Sequence, residues 1–215
     1  MSTAAPPGEQ RVLLHGVSWQ TYERLVGEMD EAHGGVRLAY DEGALEIMSP
    51  THAHDWIKRI LGRAIETFSL ARDIPIKSGG ATTFKKEDLD KGIEPDECYW
   101  VQNEPRVRGK SDIDLAIDPP PDIAIEVEIT RSSLNKHEIY AALGVPEIWR
   151  HDGATLQILT LTSSGTYEPA ERSPALPDLP LDEVARLVAR REEMDETSLF
   201  RAFWEQILRP GLEPR

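Results

Sequence analysis

The segment PDIAIEVEIT at residues 121–130 restricts the fold of this chain more than any other. Apolar and mostly acidic residues alternate along it, and alternate residues of a β-strand face opposite sides. The segment therefore predicts a strand whose apolar side packs into a core. That side carries Ile123, Ile125, Val127 and Ile129, and the other side carries Asp122, Ala124, Glu126 and Glu128.

The acidic side of this strand needs a positive partner, because carboxylates two residues apart repel one another. A divalent cation with oxygen ligands would neutralise them. The alternative is an ordinary solvent-exposed strand face. Against that alternative, strands in βαβ units are usually covered on both faces, and buried carboxylates without a partner are costly. The strand therefore indicates a metal site, and with it catalysis.

Composition sets limits on the partners of the chain. Its 215 residues suggest one large domain or one domain with additions. The net charge of −14 argues against nucleic-acid binding through overall charge, although it leaves room for a local basic groove. The single cysteine, Cys98, excludes an intrachain disulfide and favours a reducing, cytoplasmic setting. No apolar run approaches the about 18 residues of a membrane span, and no signal peptide is visible.

Periodicity and turn signals predict the order of elements along the chain. The expected elements are helices at 18–33, 52–71 and 131–143, a hairpin at 36–48, strands at 75–84, 97–102, 147–151 and 155–161, a loop at 85–95, a surface arm at 163–180 and an amphipathic helical tail at 181–208.

The strand–helix–strand order around residues 122–151 predicts a βαβ-like unit in a mixed sheet. The expected fold class is α/β, with α+β character: a mixed β-sheet flanked by helices, with an N-terminal helix and hairpin. Residues 1–10 are predicted as a flexible lead and 11–162 as the main domain, and 163–215 as an arm and helical tail packing on that domain.

Further candidate site residues lie upstream of the acidic strand. Glu94-Pro95-Asp96 precedes a predicted strand, and two adjacent antiparallel strands would bring Asp96 and Glu126 to one cation. The alternative is a plain Pro-bearing loop. His54, at the start of a predicted helix, is either a packing residue or a group that orients a phosphate or a metal-bound water, and Glu46 of the hairpin is a further carboxylate.

Basic residues offer a possible contact with phosphate. Lys136, on the helix after the acidic strand, is either a solvated lysine or a cation that stabilises a phosphorane-like transition state. The most basic local surface comprises Lys85, Lys86, Arg106, Arg108 and Lys110. No nucleotide-binding glycine loop and no zinc-ligand pattern is present in the sequence.

Several of these motifs together resemble the Uma family of putative restriction endonucleases, within the PD-(D/E)XK nuclease superfamily. The resemblance covers about residues 12–160. The matching segments are VSW at 17–19 with Tyr22 and Glu23, LEIMSP at 45–50 followed by His54, EPD at 94–96, PDIAIEV at 121–127, and Tyr140 with GVPEIW at 144–149.

The resemblance implies a nuclease-like domain over 11–162 that hydrolyses DNA with Mg (or Mn). Asp96 falls on the first acid of the superfamily pattern and Glu126 on the second, with a backbone carbonyl near Val127 as a further ligand. Glu128 occupies the position where the superfamily has lysine, so it is assigned as a metal ligand or base, with Lys136 as the alternative for water activation. The superfamily's upstream acid and histidine fall on Glu46 and His54, and a homodimer is expected.

Two alternatives remain open from the sequence. The absence of lysine at Glu128 and the acidic composition are compatible with a catalytically decayed nuclease fold that acts as a nucleic-acid or protein-binding module. The acids of the central strand are also compatible with a purely structural cluster. Metal-dependent cleavage of DNA separates the enzyme from both alternatives.

Overall fold

A computed structural model of the chain describes residues 9–31, 35–205 and Arg209. The helices are α1 (Trp19–Glu31), α2 (His52–Ala71), α3 (Glu104–Val107), α4 (Lys136–Leu143), α5 (Leu181–Ala189) and α6 (Glu196–Phe203). The strands are β1 (Gln10–His15), β2 (Arg37–Asp41), β3 (Ala44–Ser49), β4 (Lys77–Ser78), β5 (Phe84–Lys86), β6 (Lys91–Ile93), β7 (Glu97–Trp100), β8 (Ile123–Val127), β9 (Glu147–His151), β10 (Leu156–Leu161) and β11 (Tyr167–Ala170).

The predicted mixed sheet is confirmed as a six-stranded sheet in the order β11-β10-β9-β8-β7-β4. Strands β8 and β9 are parallel and α4 connects them, which is the predicted βαβ unit. The other neighbouring pairs are antiparallel. β8 therefore lies in the interior of the sheet, with strands on both sides and helices over its faces.

The predicted hairpin belongs to a second, antiparallel sheet in the order β1-β3-β2-β6-β5. Its turn at Glu42 and Gly43 has φ of 47° and 89°, the left-handed conformation that a tight hairpin turn requires. β1 pairs with β3 along its whole length and forms one edge of this sheet. The second sheet covers part of the face of the first that also carries α4.

The apolar pattern of β8 explains how the layers meet. Ile123, Ile125 and Val127 are buried in a core shared with α2, α5 and α6. Ala124, on the opposite face, belongs to a second core with α4 and with residues of the other sheet. The two-sided pattern read from the sequence is therefore real, and its acidic side faces α4 and not solvent.

The structure differs from the sequence-based prediction at the ends of β8 and α4. β8 ends at Val127 and not near residue 130, because the backbone N–H of Thr130 donates to the Glu9 carboxylate at 3.0 Å and Ile129 is exposed. α4 begins at Lys136 and not at residue 131, because the Ser133 N–H donates to the carboxylate of Glu46 at 2.7 Å.

Short or irregular strands were also missed. The segment predicted as a strand at 75–84 contains β4 and the first residue of β5, and the predicted loop at 85–95 contains the rest of β5 and all of β6. The predicted arm at 163–180 contains β11, which pairs with β10, and buries Leu176 and Leu179. These strands have two to four residues, too few to show a clear period of two.

The structure describes only part of the predicted lead and of the predicted tail. Residues 1–8 of the predicted lead and Leu208 of the predicted tail lie outside the part that the structure describes. Glu9 and Gln10 are not a flexible lead, since Glu9 is buried and Gln10 begins β1. The tail is two helices, α5 and α6, and Asp195 caps the second by accepting from the Ser198 N–H. Both helices pack into the core beside α2.

No helix within the described residues is long and apolar enough to cross a membrane.

Candidate active site

Asp96 immediately precedes β7, and Glu126 lies on β8, the antiparallel neighbour of β7, where Glu97 is paired with Ile125. The Asp96 N–H donates to the Ile125 carbonyl at 3.0 Å, and its carboxylate accepts from the Val127 N–H at 2.8 Å. Both acids are buried, with 1% and 3% exposure. The structure thus brings together the two acids that the sequence singled out.

The Glu126 carboxylate is held by two side chains of α4. Lys136 Nζ lies 2.5 Å from Oε2, and the Tyr140 hydroxyl donates to Oε1. Residues four apart share one face of a helix, so both reach the same carboxylate. Burial raises the pKa of Glu126, and the charge of Asp96 raises it further against the opposing effect of Lys136. Burial alone would lower the pKa of Lys136, but Glu126 and Asp96 raise it, so the amine stays charged.

His54 is held between two carboxylates with no exposed side-chain surface. Its Nε2 lies 2.8 Å from Oδ1 of Asp96, and its Nδ1 lies 2.6 Å from Oε1 of Glu9. Thr51 caps α2 by accepting from the His54 N–H, which fixes this residue in the first turn. Burial would lower the pKa of His54, but Asp96 and Glu9 outweigh it and raise that pKa to about 9. An imidazolium therefore lies beside Asp96 at neutral pH.

Glu9 is a site residue that the sequence did not reveal. Its Oε2 accepts from Arg11 at 2.9 Å and from the Thr130 hydroxyl at 2.6 Å. Burial would raise the pKa of Glu9, but hydrogen bonds from His54, Thr130 and Arg11 lower it to about 2. A lone glutamate in a polar N-terminal stretch carries no periodic signal. Tyr140, also missed, had one available signal, its spacing of four from Lys136.

Glu46 lies on β3 and holds the loop before α4. Its Oε1 accepts from Arg11 at 2.6 Å and from the Ser132 hydroxyl at 2.9 Å. Its Oε2 accepts from the Ser133 N–H at 2.7 Å. Glu46 therefore joins the second sheet to the residues between β8 and α4.

Glu128 lies just beyond the end of β8 and pairs with Arg150, whereas Lys136 pairs with Glu126. Its Oε2 lies 2.8 Å from Nε of Arg150, and it borders a cavity on the protein surface. Asp122, at the other end of the strand, accepts from the Val101 and Asn103 N–H groups at 2.7 and 2.9 Å. Asp122 thus supports the loop that follows β7.

The basic surface expected from the sequence is largely neutralised by acids. Lys85 pairs with Glu23 at 2.9 Å and Arg108 with Glu104 at 2.7 Å, and Lys110 pairs with Asp118. These three cations are therefore less available to a phosphate backbone than the sequence alone suggested.

The donor set can be tested against a divalent cation. Oδ1 of Asp96 is buried and has no well-aligned hydrogen bond, although His54 and Arg37 lie 2.8 and 3.6 Å away. Among the described residues, no group of three or more His, Cys, Asp or Glu side chains is arranged to hold a metal. Mg²⁺ commonly binds through one or two carboxylates and keeps several waters. Asp96 and Glu126 supply the two carboxylates that such an ion could use, although Lys136 and Tyr140 already contact both oxygens of Glu126.

The Glu9–His54 pair predicts a pH dependence of stability. The pKa of Glu9 is lowered from 4.5 to about 2, so its contribution is complete above pH 4.5 and is lost as the pH falls toward 2. The pKa of His54 is raised from 6.5 to about 9, so its contribution is complete below pH 6.5 and is lost as the pH rises toward 9. We expect the free energy of unfolding to be highest between these limits. The free energy of unfolding should fall by about 3 kcal/mol on the acid side and by a similar amount on the alkaline side, and part of both losses comes from the same Glu9–His54 pair.

Urea unfolding measured from acid to alkaline pH checks this expectation. Glu9→Gln should reduce both losses, because it removes the charge that holds the imidazolium. Glu23→Gln, which changes an exposed glutamate, serves as the control and should leave the profile unchanged. Parallel profiles for the wild type and Glu9→Gln would contradict the assignment.

Comparison with known protein families gives a match for most of the chain. A family model described as Uma2, putative restriction endonuclease, matches residues 19–190. The matched segment contains Asp96, Glu126 and Lys136, and it leaves out Glu9 and Arg11 of the N-terminal segment. No curated protein matches the chain.

Proposed function

This chain belongs to the Uma2 family of putative restriction endonucleases, and from that premise we propose that it is a metal-dependent endonuclease that hydrolyses phosphodiester bonds of DNA. The observation that carries the proposal is the buried cluster of Asp96, Glu126 and Lys136. One carboxylate immediately precedes β7 and the other lies on β8, and a lysine Nζ lies 2.5 Å from the second of them. Lysine is absent at position 128, but Lys136 reaches the second acid from the adjacent helix.

In this proposal Asp96 and Glu126 hold Mg (or Mn). The bound ion would supply a polarised phosphate and a water of lowered pKa. Lys136 places a fixed positive charge beside Glu126, where negative charge on a transferring phosphoryl group would develop. His54 holds Asp96 in place through its Nε2, and Glu9 holds His54 in turn.

Lys136 is favoured over Glu128 as the residue that assists water activation. Lys136 contacts Glu126 directly, whereas Glu128 contacts Arg150. We therefore assign Glu128 neither a metal nor a proton-transfer role. Glu46 positions the loop before α4 rather than adding a third carboxylate to the Asp96 and Glu126 pair.

We further propose that the protein forms a homodimer and acts in the cytoplasm. Cutting both strands of a duplex suits two sites related by a twofold axis. Phe200 and Phe203 of the C-terminal tail are buried within the protomer and so are not available to an interface. The buried thiol of Cys98 is in keeping with a reducing compartment.

Cleavage of supercoiled plasmid DNA by the purified protein tests the function. We expect nicked and linear products with Mg²⁺ or Mn²⁺, and none with EDTA or with Ca²⁺ as the sole divalent ion. Products that also form in EDTA would indicate a contaminating nuclease or a metal-independent reaction. Intact plasmid under every metal condition would reject the endonuclease.

A second candidate function has one observation in its favour. Lys136 and Tyr140 already occupy both oxygens of Glu126, and no three-residue metal site is present among the described residues. This is compatible with a decayed nuclease fold that binds nucleic acid or protein without cutting it. Binding of DNA without cleavage in any metal would favour this candidate.

A further inference from the structure

A surface cavity of about 430 Å³ lies beside Lys136, between the segment that follows β8 and Arg150 of β9. Its charged lining residues include Arg131, Lys136 and Arg150 against one acid, Glu128. Ser132 and Ser133 also line the cavity. A concentration of cations at one place is notable in a chain of net charge −14, because it creates a local attraction for anions that the whole molecule does not have.

The cavity leads to the proposed catalytic groups. Lys136 is 6% exposed and lines the cavity, while its Nζ contacts Glu126. A group bound in the cavity therefore lies one side chain away from the Asp96 and Glu126 pair. The volume is within the range of small-ligand sites and accommodates a phosphate with a flanking sugar.

Arg131 is the cation most available to a ligand. It is exposed, and it forms no ion pair with any residue that the structure describes. Its guanidinium has five donors in a geometry that matches two phosphate oxygens. The loop that carries it is fixed next to it, since Ser132 and Ser133 both donate to Glu46.

Arg150 is less available to a ligand than Arg131, because Glu128 already neutralises its charge. The Arg150 Nε lies 2.8 Å from Glu128 Oε2, and both side chains are only partly exposed. An anion in the cavity would share Arg150 with this carboxylate. Glu128 therefore opposes anion binding, which gives a physical role to an acid at the position of the superfamily's lysine.

We propose that this cavity binds one phosphate of the DNA backbone next to the phosphate that is cut, with Arg131 and Arg150 as its cations and Glu128 as a competing anion. The identity of the ligand rests on the proposed nuclease function. The cavity itself rests on its charge, its volume and its contact with Lys136. Glu46 acts as a positioning residue by holding the loop of Arg131.

Binding of a fluorescent DNA duplex, measured by anisotropy without divalent metal and over a range of salt concentrations, tests the proposal. Arg131→Ala should weaken binding and reduce the slope of log K against log salt by about 1, as expected for one lost phosphate contact. Glu128→Gln should tighten binding by roughly tenfold at low salt, equivalent to about 1.4 kcal/mol. Arg24→Ala, which removes an exposed arginine of α1 outside the cavity, is the control and should bind as the wild type does.

The outcomes separate this proposal from the nuclease function. If the wild type cuts DNA but Arg131→Ala has the same affinity and salt slope as Arg24→Ala, the cavity assignment is overturned and the nuclease stands. If the wild type never cuts but Arg131→Ala loses one unit of salt slope and Glu128→Gln binds more tightly, the cavity stands and the nuclease is rejected.

A competition experiment distinguishes a phosphate of the DNA backbone from free inorganic phosphate as the ligand of the cavity. Millimolar inorganic phosphate, added at constant ionic strength, should leave the bound fraction of DNA unchanged, because a single ion lacks the neighbouring backbone contacts. Displacement of the duplex by inorganic phosphate, dependent on Arg131, would show that the cavity is a site for the free ion and would overturn its assignment to DNA.

Discussion

Asp96→Asn and Glu126→Gln are each expected to lower the rate of metal-dependent DNA cleavage by at least about 100-fold. Each change removes a negative charge that would hold the divalent ion and keeps nearly the same shape. Asp96 precedes β7 and Glu126 lies on β8, so each would supply a separate ligand to the proposed ion. Initial rates of plasmid nicking, measured over a range of Mg²⁺ concentrations, provide the check.

The matched control for these variants is Glu97→Gln. Glu97 is the first residue of β7 and the neighbour of Asp96, and successive residues along a strand point to opposite faces. We expect Glu97→Gln to cleave at the wild-type rate. Circular dichroism checks that each variant is folded. Calorimetric titration with Mn²⁺ should show weaker binding for Asp96→Asn and wild-type binding for Glu97→Gln. Wild-type cleavage by folded Asp96→Asn would remove this acid from the mechanism.

Lys136→Met is expected to lower the free energy of unfolding by about 3–5 kcal/mol, because it leaves the Glu126 carboxylate buried without its ion-pair partner. The amine is 6% exposed and contacts an acid that is 3% exposed, so water screens this pair little. An exposed pair contributes only about 0–1 kcal/mol. Urea unfolding at pH 7 measures the difference.

The double variant Lys136→Met with Glu126→Gln separates the ion pair from simple packing. Removing both charges together should cost less than the sum of the single changes, with an interaction energy of about 1–3 kcal/mol. The exposed pair Arg24 and Glu28, treated in the same way, is the control and should show almost no interaction energy. Additive losses at Lys136 and Glu126 would mean that the pair does not stabilise the fold.

Much of the candidate site could be predicted from the sequence, because its signals are local. The alternation along β8 identified Glu126, and the Pro-Asp step before β7 identified Asp96. The structure brings these acids together and adds Lys136 from the next helix. β8 ends at Val127, so Glu128 lies just beyond the strand, where it pairs with Arg150.

The rest of the site depends on contacts between distant parts of the chain. Glu9 binds His54 across 45 residues of sequence, and no pattern near either residue signals the other. The complete second sheet could not be predicted from the sequence for a related reason. β5 and β6 have three residues each within a charged segment, and the pairing of β6 with the hairpin stabilises them more than their own composition does.

The contacts of Glu9 also determine when the site can form during synthesis. Glu9 leaves the ribosome early, but its hydrogen-bond partner Thr130 follows 121 residues later. Until then His54 and Asp96 lack the completed network, although β3 is already present to pair with β1. Contacts of such separation form late in folding, because the intervening chain must first be closed into a loop. A growing chain therefore cannot complete the candidate site until the central strand and the start of the following loop have emerged.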